Sequence, residues 1–108
     1  MDKDKKPMPG LEVHFIELKT DTWEVPGYFK VFVRISEFLY PPSFNFYLKD
    51  KNGVIVSELT LVESSDSEFV FTMHIRRSDY SPPLELTGEI FYPDDPGVIE
   101  TKSIILNG

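Results

Sequence analysis

The residues able to carry out bond-making chemistry are few. Two histidines, His14 and His74, are the only imidazoles among 108 residues, and there is no cysteine. Acid–base or nucleophilic catalysis near neutral pH needs an imidazole or thiol held beside an acid and a nucleophile. Neither histidine has such companions at a workable spacing, and each falls on the outward parity of its strand, where a solvated surface side chain is expected. The lack of cysteine removes thiol catalysis, thiolate metal sites and disulfides together. The chain therefore reads as non-enzymatic.

Carboxylates are the abundant groups, 18 acidic against 11 basic side chains for a net charge of -7. Residues 1–10 hold Lys3, Lys5 and Lys6 against Asp2 and Asp4, so the excess of acid is steeper in the rest of the chain. A field of this sign repels phosphate backbones and anionic lipid, which argues against nucleic-acid or membrane-surface binding and leaves cations and basic proteins as partners. Calcium needs six to eight converging oxygens. The turn acids Glu37, Glu63, Asp66, Glu68, Asp94 and Asp95 lie in three separate connections with no EF-hand spacing, so they are expected to be solvated, with no metal or cofactor.

The elements that position these groups follow from periodicity. Tyr28 to Ser36 (YFKVFVRIS) is the longest unbroken alternation, with Phe29, Val31, Val33 and Ile35 on one face, and is expected in mid-sheet. Leu11 to Lys19 alternates through Leu11, Val13 and Phe15 and then changes phase at Ile16 and Leu18, which predicts a bulge or a change of sheet. Phe44 to Asp50 alternates again, with Phe44, Phe46 and Leu48 inward. Asp50-Lys51-Asn52-Gly53 is a tight hairpin turn. The segment from Val54 to Val62 has apolar residues on both parities, as an edge or bulged strand would. Glu68 to Arg77, Leu84 to Tyr92 and Val98 to Leu106 complete the set, separated by turns at 64–67, 78–83 and 93–97. No helix is predicted. Residues 1–10, charged and proline-bearing, read as a flexible arm before a single domain at 11–108.

Composition agrees with this pattern: 41% of residues are apolar and 14% aromatic, nine of them phenylalanine, large flat side chains suited to strands. At this length about two thirds of the unfolded surface can be buried, so no disulfide or metal is required for stability. No stretch approaches the ~18 apolar residues of a membrane helix and no apolar run follows Met1, so neither a membrane span nor an export signal is expected.

Seven short strands with turns every 8 to 12 residues or so point to an all-β, antiparallel, two-sheet sandwich. With Pro26-Gly27 directly ahead of YFKVFVRIS, the stretch from Leu11 to Leu106 resembles immunoglobulin-like and fibronectin type III-like modules, including the bacterial Ig-like domains. It departs from them in having no cysteine pair and in placing Trp23 before the second strand. The resemblance implies an adhesive, spacer or partner-binding role. It also implies that the first and fifth strands flank the second, which would set His14 and His74 roughly 10 Å apart.

In a sandwich of this order the second-to-third, fourth-to-fifth and sixth-to-seventh connections share one end. Phe38, Leu39 and Tyr40 fall in the first of these, and leaving each in water forgoes roughly 1.5 to 3 kcal/mol, so either the core or a partner must cover them. Framed by Glu37, Asp94 and Asp95, they make the candidate contact surface for a protein partner. A second candidate is an apolar strip for weak self-association through Tyr47 and Phe91, with Val56 beside them. The alternative functions are a carbohydrate-binding module, stacking sugars on Trp23, Tyr40 and Tyr47, and a structural or assembly subunit.

Overall fold

The computed structural model describes residues 13–22, 27–77, 79–93 and 98–106. The arm at 1–10, Trp23, Asp94 and Asp95 lie outside the described residues. Seven strands follow one another among these residues: β1 (Phe15–Thr22), β2 (Tyr28–Ile35), β3 (Ser43–Lys49), β4 (Ile55–Leu61), β5 (Glu68–His74), β6 (Leu84–Phe91) and β7 (Val98–Leu106). They form a three-stranded sheet in the order β1-β2-β5 and a four-stranded sheet in the order β4-β3-β6-β7, every pairing antiparallel. No helix occurs among the described residues.

β2 lies between β1 and β5, as its clean alternation requires, and Phe29, Val31, Val33 and Ile35 are all buried. Across the core, Phe44, Phe46 and Leu48 of β3 are completely enclosed. Five phenylalanines, Phe15, Phe44, Phe46, Phe69 and Phe71, fill the space between the sheets with ring centroids 4.7 to 6.5 Å apart. Stacked and edge-on ring pairs of this kind add to simple burial. Gly88 of β6 faces this cluster. A β-carbon there would lie 2.9 Å from Phe46 Cε1 and 3.0 Å from Phe15 Cζ, so the absence of a side chain is what lets the rings close.

Both strands with mixed parity contain irregularities. In β1 the register jumps between Phe15 and Glu17, and Ile16 is extruded to solvent while Leu18 turns inward. The expectation that Ile16 and Leu18 both join the apolar phase is corrected: the bulge restores the core for Leu18 alone. In β4 the register slips opposite Leu48 and Lys49, so Val56 is the extra residue; it is buried, and Ile55 is exposed.

The β3–β4 turn is built on Asp50. Gly53 takes a φ of +82°, a conformation glycine adopts without a side-chain clash. The Gly53 amide donates to the Asp50 carbonyl at 2.9 Å. The Asp50 carboxylate accepts from the amides of Asn52 and Val54 through Oδ1, at 2.8 and 3.1 Å, and from Ser81 through Oδ2 at 3.3 Å, while the Lys51 amide donates to the Ser81 carbonyl at 2.8 Å. One side chain thus ties the hairpin to the connection between β5 and β6. Desolvation opposes ionisation of Asp50, but the amides of Val54, Asn52 and Ser81 and the charge of Arg77 outweigh it and hold the carboxyl below its ordinary value. A carboxyl with a depressed folded pKa contributes stability that is present above its unfolded value near 3.9 and is lost as the pH falls through the folded value. Urea unfolding of Asp50→Asn at pH 6 and at pH 2.5 should therefore show a smaller acid-induced loss than the parent; equal losses would mean the amides do not favour the ionised form.

Candidate functional site

β2 ends, β3 begins, β4 ends and β5 begins at one end of the sandwich, as the pairings Arg34 with Glu68, Phe44 with Leu61 and Ser43 with Phe91 require. The segments 36–42 and 62–67 and the residues after β6 therefore meet there, in the arrangement expected from the strand order.

Hydrogen bonds fasten these segments to one another. The Ser64 amide donates to the Pro42 carbonyl at 2.9 Å, the Ile35 amide to the Ser67 carbonyl at 2.9 Å, and the Glu63 amide to Ser43 Oγ at 3.0 Å. The Tyr92 hydroxyl donates to the Tyr40 carbonyl at 2.8 Å. Pro42 and Ser43 are fully buried beneath the loop. Glu63 has a φ of 51°, uncommon for a residue with a side chain, and its bond to Ser43 holds it in that state. Hydrogen bonds thus tie the segments of the loop end to one another.

The three apolar residues of the second-to-third connection separate into two roles. Phe38 packs against the hydrophobic core and plugs it, whereas Leu39 and Tyr40 remain 63% and 58% exposed. Val62, from the facing connection, is 68% exposed and joins them at this end. Periodicity places Val62 within the fourth strand, whereas β4 ends at Leu61. The available signal was its position just before the acidic turn, on the parity opposite to Leu59 and Leu61. Glu37, Glu63, Asp66 and Glu68 are all exposed around these residues.

Among the described residues, the other sequence candidates do not converge. His14 pairs through its backbone with Ser36 beyond the end of β2, while His74 sits opposite Tyr28 at its start and stacks on that ring with centroids 3.9 Å apart. The two histidines are therefore at opposite ends of the sheet, well beyond the expected 10 Å, because parity gives the face of a side chain and register gives its height. Tyr47 lies opposite Thr87, and Phe91 opposite Ser43, so these two share a face but are four positions apart, roughly 13 Å. Val56 belongs to the core instead of that strip. The Tyr47 hydroxyl donates to Glu89 Oε2 at 2.9 Å; that bond, with desolvation and the charges of Glu89 and Glu85, raises its pKa above the ordinary value. Among the described residues no three metal-ligating side chains converge.

No protein-family model matches the chain, and no curated protein shows significant sequence similarity to it. The geometry is therefore the ground for a functional reading.

Proposed function

We propose that this protein is a non-enzymatic interaction module with an immunoglobulin-like arrangement, and that the loop end contacts a protein partner. The strand order supports the architecture: β1-β2-β5 corresponds to strands A, B and E of the immunoglobulin pattern, and β3-β6-β7 to C, F and G. β4 lies beside β3, whereas the constant-type pattern places the fourth strand beside the fifth.

The observation that carries the function is the exposure of Leu39 and Tyr40 on a backbone held by Tyr92 and Ser64. A rigid segment presenting large apolar side chains loses little conformational freedom on binding. The surrounding carboxylates suit a partner that brings Lys or Arg beside an apolar anchor, and such attraction weakens with salt. Tyr40 lies in the loop end and Tyr47 along β3, a separation that favours the protein-contact reading over sugar stacking on these two rings.

Because Phe38 serves the core, the separating substitution is Leu39→Ser combined with Tyr40→Ser. The double variant should melt within about 4 °C of the parent, since two exposed positions together usually contribute under ~1 kcal/mol. A displayed peptide library selected on the parent should enrich sequences that pair basic with apolar residues, and these should lose at least tenfold in affinity for the double variant. Enriched peptides that bind both proteins equally would place the contact surface elsewhere.

A further inference from the structure

Among the described residues four strands stand at sheet edges, and three of them carry features that discourage a further strand from pairing. β1 has the Ile16 bulge and charges at Glu17, Lys19 and Asp21; β4 has the Val56 bulge and Glu58; β7 has a register shift near its start and charges at Glu100 and Lys102. β5 differs. Its interior, Phe69 to Met73, reads FVFTM with no charge, proline, glycine or bulge, and it pairs with β2 in unbroken register.

Its hydrogen-bonding direction can be read at both ends. The Ser67 carbonyl accepts from Ile35 and the Ile75 amide donates to Gly27, so the odd residues address β2. By alternation, the amides and carbonyls of Glu68, Val70, Thr72 and His74 point away from β2 toward the open edge. Ser57 Oγ on β4 donates to the His74 carbonyl at 3.1 Å and closes the edge there. Among the described residues, no backbone hydrogen bond from another segment reaches the outward groups of Glu68, Val70 and Thr72.

We propose that this edge receives β5 of a second copy of the chain, antiparallel and centred on Val70, joining the two three-stranded sheets into one of six. Centring on Val70 uses the stretch left open by Ser57 and sets Glu68 opposite Thr72 of the second copy. The outer face favours this register. Phe32 lies beside Val70, and Val70 is 54% exposed, so the two-fold makes a continuous apolar row from Phe32 through both Val70 residues to the second Phe32. Arg34 lies beside Glu68 and Lys30 beside Thr72, so each Glu68 comes to lie in a row between basic residues of the two copies and faces no acid. The half-buried Phe69 and Phe71 meet their counterparts on the core side.

Sedimentation equilibrium from 10 µM to 1 mM should show the mass rising from 12.5 kDa toward twice that value. Val70→Lys sets two ammonium groups face to face and should hold the protein at monomer mass with an unchanged melting temperature. The native chain has no cysteine, so single cysteines report register directly. Directly paired strand residues have Cα atoms about 5.5 Å apart, within disulfide reach. Under mild oxidation at 200 µM, Val70→Cys should form a covalent dimer at least ten times faster than Thr72→Cys. A monomer at 1 mM, equal cross-linking rates for the two cysteines, or dimerisation that survives Val70→Lys would each overturn the proposal.

Discussion

Val33→Asp is expected to abolish folding, whereas Arg34→Asp at the neighbouring position is expected to leave a folded protein. Val33 is 2% exposed at the centre of β2, opposite Leu18 on one side and Phe69 on the other. A carboxylate there has no donor within the apolar layer. Such a group costs several kcal/mol whether it ionises or takes up a proton, against a total stability of about 5–15 kcal/mol for a domain of this size. Arg34 points to solvent, with Glu17 at 3.8 Å, and pairs across the ladder with Glu68. Reversing its charge puts three acids in one row, a repulsion of about 1 kcal/mol or less at an exposed site. Circular dichroism at 20 °C separates the outcomes: a disordered spectrum for the first variant and a strand spectrum for the second. Two folded spectra would contradict the burial of Val33.

The second large effect lies in the aromatic cluster. Phe46→Ala removes a fully enclosed ring that touches Phe15, Phe44, Phe69 and Phe71, and should cost about 3–5 kcal/mol. Gly88→Ala pushes a methyl group against that ring and should cost about 1–3 kcal/mol through overpacking. Since both act on one contact, their effects should not add: in a Phe46→Leu background Gly88→Ala should cost at least 1 kcal/mol less than in the parent. Urea midpoints of the four proteins measure the coupling, and strict additivity would mean that the ring is not what excludes a side chain at Gly88.

The strands with a single clear parity were legible before the structure. β2 and β3 bury the residues their alternation selects, and the sixth and seventh strands begin at Leu84 and Val98 as expected, because a half-buried strand leaves a period-2 trace whatever surrounds it. In β1 and β4 the broken parity signalled a bulge without identifying the extruded residue, which depends on register with the neighbouring strand. The gathering of loops at one end followed from strand order. The division of Phe38 from Leu39 and Tyr40 did not, since three consecutive apolar residues in a loop have no period and only the shape of the core mouth decides which one enters it. The heights of His14 and His74 were hidden for the same reason: they are set by pairing partners.

The order of pairing has a kinetic consequence. β1 with β2, β3 with β4 and β6 with β7 are neighbours in sequence and can close as local hairpins, but among the described residues β5 has one ladder partner, β2, with two whole strands between them in the chain. Non-local contacts require the larger loop closure before they gain anything from pairing, so β5 is expected to dock after the hairpins have formed. Until then its FVFTM stretch remains in water, an uncharged segment of high strand propensity of the kind that drives intermolecular association in partly folded chains. The concentration at which the chain refolds thus governs its yield, through the strand that joins the sheet last.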